Sequence, residues 1–555
     1  MNTAIIFGLL LALMLTGMPI SISLGLTVLT FLFTMTQVPI EAVALKLFTG
    51  IENFEIMAIP FFILAGNFLT HGGVARRMIA FATSLVGHWH GGLGLAGVLA
   101  CALFAAVSGS SPATVVAIGS IILPAMVKAG FPRNFGAGII TTSGALGILI
   151  PPSIVMVMYS VATNVSVGKL FMAGVIPGIM LAAVLGLVTW FIAWRKGYPR
   201  VKIFPDRTGG QATIGGFFGL FYAFVFTVVP VWVVGKLLGD AIGSEGAGYV
   251  LAGIVWLALA PWATRNKVVT RVVYIALVVI GSPLALTLAM SDALTSTATL
   301  LGFFIIASVI WLVIIQACGR YTRISPTFRF ELMWESLAVW RSYWNSIWGL
   351  LLILVVMGGI YTGVFTPTEA AAMSAVYAFF VAVFVYRDMG LRDVPKVLLA
   401  SANMSAMLLY IITNAVLFSF LMTHENIPQR MAEWMFAQQL SPWMFLLACN
   451  IILLAAGNFM EPSSIVLIMA PILFPVATRL GIDPIAFGIM MVVNMEVGMC
   501  HPPVGLNLYV ASGITKMGIT DLTVAVMPWL LSMLAFLLLI TYIPIISTWL
   551  PSITM

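Results

Sequence analysis

The sequence predicts an all-α polytopic membrane protein built from two inverted repeats, each with a re-entrant helical hairpin and a proline-broken helix. Three observations lead there. The 555 residues are 61% hydrophobic and only 8% charged, a composition no water-soluble domain carries. Proline pairs sit inside long apolar runs at Gly147-Ile148-Leu149-Ile150-Pro151-Pro152 and Gly498-Met499-Cys500-His501-Pro502-Pro503, two stretches 351 residues apart. The connectors between apolar runs alternate between basic and cation-free, as membrane loops do.

The proline pairs carry chemistry as well as topology. Proline lacks the amide hydrogen, and its ring clashes with the carbonyl four residues back. Pro151 and Pro152 therefore release the carbonyls of Gly147 and Ile148, and Pro502 and Pro503 those of Gly498 and Met499. Hydrocarbon offers such carbonyls no partner. A bound cation is one partner that would serve.

Taken in order, Met1-Asn2-Thr3-Ala4 runs into apolar sequence with no basic n-region, which reads as a first transmembrane helix rather than a cleaved signal. The first repeat occupies 1–205. It holds scaffold helices, a polar connector with Arg76 and Arg77, an apolar stretch broken at Ser108-Gly109-Ser110-Ser111-Pro112, and then the first proline pair. An inserted module of four apolar runs follows over 206–330. Its flanking loops are basic (Arg195 to Arg207; Arg320 to Arg329), so it leaves and returns to the cytoplasmic side. The second repeat, 331–555, passes through the same events. Thr70-His71 recurs as Thr423-His424, Pro124 as Pro475, Gly130 as Gly481 and Pro177 as Pro528, while the break at Pro112 recurs as Gly457–Pro462. Both chain ends lack charged side chains, as expected if both lie outside. Each repeat then crosses an odd net number of times, and the two are inverted, a strong pointer to a secondary transporter. Thr366-Pro367-Thr368-Glu369 reads as a helix capping box with no transport role.

At the breaks the residue types suit ions. Ser108-Gly109-Ser110-Ser111-Pro112 reads either as an external loop or as the tip of a hairpin turning inside the membrane, and its pairing with Gly457–Pro462 favours the hairpin. The hydroxyls of Ser108 and Ser110, with open carbonyls, are hard donors for a small monovalent cation. Helix N-termini at the same turn suit an anionic substrate. Glu461 is either a functional intramembrane charge or a helix N-terminal carboxylate facing water. Glu496 is placed to take up a proton, to contact substrate or cation, or to pair with a polar neighbour. His501 reads as a proton-sensitive contact or a hydrogen-bonded structural histidine. Asn507 lines the same cavity or bonds to a neighbouring helix.

Other classes lack support. No clustered basic face suggests nucleic acid. Cys101, Cys318, Cys449 and Cys500 are scattered without metal-site spacing. No enzyme motif and no phosphate-cradling loop is present, so an ion gradient is the natural energy source, with no cofactor beyond the coupling ion.

At Ala58–Gly66 (AIPFFILAG), Ser108–Thr114 (SGSSPAT), Gly147–Pro152, Gly358–Ala372, Gly457–Pro462 (GNFMEP), Gly481–Gly498 and Pro502–Ala511 (PPVGLNLYVA), the chain resembles the large membrane subunit of tripartite ATP-independent periplasmic (TRAP) transporters. The resemblance covers nearly all of both repeats. It implies an elevator-type, sodium-driven importer of small organic anions, usually carboxylates, in a bacterial inner membrane. Its partners would be a periplasmic substrate-binding protein and a small four-helix membrane subunit. By family pattern one sodium site would use Ser108, Ser110, Gly147, Ile150 and Pro151. The other would use Gly457, Met460, Gly498, His501 and Pro502. Substrate would sit between the two tips, with Ser111, Asn458, Glu461, Asn494, Glu496 and Asn507 as candidate contacts. Two departures stand out. The 206–330 module, absent from most members, either adds scaffold or replaces the small subunit. Glu496 and His501 are ionisable where the family pattern has apolar or hydroxyl residues. The rival within transport is a binding-protein-independent sodium- or proton-coupled carboxylate symporter of related fold.

Overall fold

The computed structural model describes residues 2–36, 38–198, 326–438, 441–458, 460–502 and 505–554. Most of the 206–330 module, and Pro503, fall outside that set. Contacts divide the chain into two units. One comprises Met1–Ala82, His90–Arg200 and Trp348–Met555 and holds the site below; the other comprises Thr83–Trp89 and Val201–Ile347.

Every element among the described residues is helical. Eight helices there are long and apolar enough to cross a membrane, among them Val167–Arg195, Val394–His424 and Ile519–Tyr542. In chain order the helices are α1 (Asn2–Leu15), α2 (Ile20–Met35), α3 (Ile40–Thr49), α4 (Ala58–His71), α5 (Val74–Val86), α6 (Gly92–Ser108), α7 (Ser111–Lys128), α8 (Arg133–Ser143), α9 (Ile154–Thr163) and α10 (Val167–Arg195). They continue as α11 (Pro326–Tyr361), α12 (Pro367–Phe380), α13 (Val394–His424), α14 (Ile427–Ala437), α15 (Pro442–Gly457), α16 (Pro462–Arg479), α17 (Pro484–Cys500), α18 (Leu506–Thr515), α19 (Ile519–Tyr542) and α20 (Ile545–Thr554).

The sequence register reappears in the backbone. α6 and α7 pack on each other as one hairpin, α15 and α16 as the other. Each second arm ends on a left-handed glycine, Gly130 (φ 89°) or Gly481 (φ 76°), a conformation glycine adopts without a Cβ clash. The next amide then reaches back five residues, Phe131 N to Met126 O and Ile482 N to Ala477 O, both at 3.0 Å. The ten-residue helices α9 and α18 follow the breaks. They end on left-handed Asn164 (φ 58°) and Lys516 (φ 53°). At about 1.5 Å per residue each is roughly 15 Å long, half a bilayer core.

Packing across the repeats is reciprocal. α9 lies against α16 and α17 of the second repeat, and α18 lies against α7 and α8 of the first. Tyr159 of α9 is fully buried on Gly488, and its hydroxyl donates to Pro484 O at 2.8 Å. On the flanks, α4 packs on the first hairpin and α13 on the second, while α4 and α12 form an extensive pair. The capping box stands as expected: Glu369 N donates to Thr366 Oγ1 at 3.3 Å, and Thr366 N to Glu369 Oε2 at 2.8 Å.

Candidate functional site

Each hairpin tip rests on the break of its own repeat. At the first tip Gly109 closes α6 in the left-handed region (φ 59°), its amide donating to Ala105 O at 3.1 Å. A Cβ there would lie 2.8 Å from Pro152 O. Gly147 faces the tip from the other side, where a Cβ would lie 2.6 Å from Ser110 O and 2.8 Å from Ser111 Cα. At the second tip the glycines face each other. A Cβ on Gly457 would lie 3.0 Å from Gly498 Cα, and one on Gly498 3.1 Å from Gly457 Cα. No side chain larger than hydrogen permits these approaches without a shift of main chain.

The first tip is rich in oxygen. Ser110 caps α7 in extended geometry, and its carbonyl accepts from Thr114 N at 3.1 Å and Thr114 Oγ1 at 2.9 Å. Ser108 Oγ lies 2.9 Å from Thr114 Oγ1. Beyond α8 the chain tightens into a 3-10 turn over Gly144–Ile148 and passes through a cis Pro151-Pro152 bond. Ile150 packs on Gly178 of α10, and Pro151 is buried.

The carbonyls freed by proline do not all stay open. Ile148 O is taken by Ser153 Oγ at 2.5 Å, and the same hydroxyl caps α9 by accepting from Met156 N at 3.4 Å. Gly498 O is taken by His501 N at 3.2 Å, because the chain turns out of the helix at His501 and points that amide back. The side-chain amide of Asn458 lies 3.1 Å from His501 Nδ1, His501 O and Pro502 O, and with its nitrogen toward them it donates to these acceptors. His501 is thus hydrogen-bonded at the second tip. Met460 packs against an apolar cluster of α1, α2, α13 and α16.

The two tips meet at one cavity of about 80 Å³. Its lining includes Ser110, Ser111 and Pro112 of the first hairpin, Glu461, Pro462 and Ser463 of the second, and Met404, Met407 and Leu408 of α13. Ser111 and Glu461 of the candidate substrate contacts therefore line it. Glu461 caps α16 without a side-chain cap bond, and its Oε1 is buried with no partner among the described residues. It stands at a helix N-terminus, as one reading had it, and is half-buried, with Oε1 the enclosed oxygen.

The other candidates lie off the cavity. Asn494 donates to Asn450 O at 3.1 Å and Asn450 Oδ1 at 2.9 Å, tying α17 to α15. Asn458 serves the second break. Glu496 is completely buried, with neither carboxylate oxygen bonded among the described residues. Asn507, also buried, donates to Ser111 Oγ at 2.8 Å and to Thr141 O at 3.4 Å, so it reaches across to the first repeat.

Three features escaped the sequence reading. Thr114 carried a signal, standing one helical turn from Ser110. Ser153 carried one too, as a capping residue just past the prolines. The α13 wall of Met404, Met407 and Leu408 carried none, since only the folded chain brings it to the tips.

Comparison with known proteins finds matches along nearly the whole chain. The family model described as "Tripartite ATP-independent periplasmic transporter, DctM component" matches residues 7–310 and 272–546. A C4-dicarboxylate TRAP transporter large permease protein of Rhodobacter capsulatus is 59% identical over 100% of this chain and 99% of its own length. Its namesake in Pseudomonas aeruginosa is 42% identical over 96% of this chain and 94% of its own. The first alignment covers 100% of this chain, residues 206–330 included. A solved structure, the Alcanivorax borkumensis YdaH transporter, aligns over 92% of this chain and 88% of that one at 14% identity. Its TM-score of 0.41 is too weak a likeness to carry an argument.

Proposed function

The chain belongs to the DctM family of tripartite ATP-independent periplasmic transporters, as the large membrane subunit, and on that premise we propose that it imports small dicarboxylates by sodium symport. A periplasmic binding protein would deliver the substrate. The observation that carries the site is the cavity that residues of both hairpin tips line. The substrate class rests on the relatives named for C4-dicarboxylates.

The chemistry follows from the residues. Ser111 and Pro112 open α7, and Pro462 and Ser463 open α16, so two helix N-termini border the cavity. Unpaired amides and the helix dipole make such ends receptive to carboxylates. Sodium would lie at the two tip–break contacts. One contact offers Ser108, Ser110, Gly147, Ile150 and Pro151; the other offers Gly457, Met460, Gly498, His501 and Pro502. These are mostly main-chain oxygens, suited to a hard monovalent ion. Cations there would also offset Glu461, whose charge otherwise opposes an anion. Ion binding would seat each tip on its break and complete the pocket, which links sodium to substrate. Movement of the hairpins and broken helices against α4, α12 and α13 in an elevator cycle would then carry both across. Both termini would face the periplasm. The 206–330 module would add scaffold, alongside a separate small four-helix subunit.

The test is uptake of labelled succinate or malate into proteoliposomes under an imposed sodium gradient, with and without the binding protein. Uptake that needs both supports the proposal. Uptake with sodium but no binding protein points to a stand-alone symporter, and uptake driven by protons alone removes the sodium sites.

A further inference from the structure

Asn507 belongs to the second repeat, where it reaches Cys500 Sγ at 3.8 Å, but its shorter hydrogen bonds are made in the first. It is fully buried at the start of α18, two residues after Gly505, whose amide donates to His501 O at 3.1 Å. Its amide nitrogen donates to Ser111 Oγ at 2.8 Å, and Ser111 Oγ in turn donates to Gly144 O at 3.0 Å. The direction of this relay is fixed. Ser111 has one proton, which goes to the carbonyl, so its oxygen must accept from Asn507. Thr141 O lies 3.4 Å from the same nitrogen and also accepts from Cys500 Sγ at 3.4 Å. Gly144 opens the 3-10 turn that ends in Gly147 and Ile148, and Gly147 lies directly on Ser110 and Ser111. The relay therefore runs from just beyond the second break into the clamp between the first tip and the first break. All its polar members are buried, where hydrogen bonds are strongest and a missing partner is most costly.

We infer that Asn507 is a positioning residue that couples the two tip–break contacts, so that seating one tip favours seating of the other. The inference rests on the sodium reading of those contacts given above. A cation drawing Gly498, His501 and Pro502 together would set the start of α18, and through Asn507 the position of Ser111 and Gly144. By reciprocity a cation at the first contact favours the second by the same factor. Binding of the two ions is then cooperative, and the carrier is filled or empty rather than half loaded.

The test is the sodium dependence of succinate uptake by the complete transporter with its binding protein, in wild type, Asn507→Ala, Ser111→Ala and the double variant. Thermal unfolding of each checks folding. The wild type should be sigmoidal in sodium. Either single change should bring the Hill coefficient to about one and raise half-saturating sodium at least about fivefold, the lower end of usual coupling. The double variant should add little. Asn450→Ala removes a different buried asparagine, one that donates to Thr541 Oγ1 at 2.9 Å; it should lower thermal stability and keep the sigmoidal curve. Ser111→Ala, the smaller change, keeps the test open if Asn507→Ala does not fold. Sigmoidal curves with unchanged midpoints in the folded relay variants overturn the coupling while leaving sodium transport intact. A wild type indifferent to sodium overturns the sodium reading, and the coupling with it.

Discussion

Replacing Gly147 with alanine should weaken sodium binding while leaving the protein folded. The added Cβ would meet Ser110 O at 2.6 Å, Ser110 C at 2.7 Å and Ser111 Cα at 2.8 Å. All three are main-chain atoms, so no side chain can swing aside. Ordinary contact begins near 3.4 Å, and tip and break must part by most of an ångström. Overpacking of this kind costs about 1–3 kcal/mol. If the strain falls on the closed, ion-bound arrangement, half-saturating sodium rises by about 5- to 150-fold. The assay is sodium-dependent succinate uptake in proteoliposomes, with unfolding temperature measured alongside. Gly186→Ala is the control: its Cβ would have only Leu95 Cδ2 nearby, at 3.8 Å, and alanine is the better helix former. Its sodium curve should match wild type. A Gly147→Ala protein with wild-type sodium dependence would refute the reasoning, because the tip–break contact would then be irrelevant to the ion.

Ser153→Ala should destabilise the protein by about 2–4 kcal/mol, since it removes the cap of α9 and leaves Ile148 O buried without its donor; unfolding in detergent would show the loss. Glu461→Gln keeps size and hydrogen-bonding capacity but removes the one carboxylate among the described residues that line the cavity. Half-saturating sodium should rise by about tenfold or more with little change in unfolding temperature, given that a charge interaction inside the site is worth at least about 1.4 kcal/mol. Thr366→Ala should cost about 1 kcal/mol of stability through the lost capping box and leave transport per folded molecule unchanged.

Much of this design was legible because its signals are local. Proline and glycine act on their own backbone, so the pairs Pro151-Pro152 and Pro502-Pro503 marked both breaks. Ser108–Pro112 and Gly457–Pro462 marked both tips. The 351-residue register sets the two groups of signals in step, and Thr366–Glu369 names its own motif. What stayed hidden depends on contacts made at a distance. Whether Gly498 O stays open is decided by where His501 points its amide after leaving the helix, which composition does not encode. Asn507 read as a cavity residue or as a bond to a neighbouring helix; which helix was hidden, because its partner Ser111 is 396 residues away in sequence. Asn494 looked equally eligible, yet α15 supplies Asn450 to occupy it. The cavity wall from α13 reads as ordinary apolar helix until the hairpins are placed against it.

The central claim is that substrate entry is tied to sodium entry through the two tip–break contacts. It is tested most directly by measuring isotopic sodium and labelled succinate entering the same proteoliposomes in the presence of binding protein. The account predicts that sodium enters with succinate at a fixed ratio above one, and that neither moves without the other. Succinate entry with no accompanying sodium would contradict it.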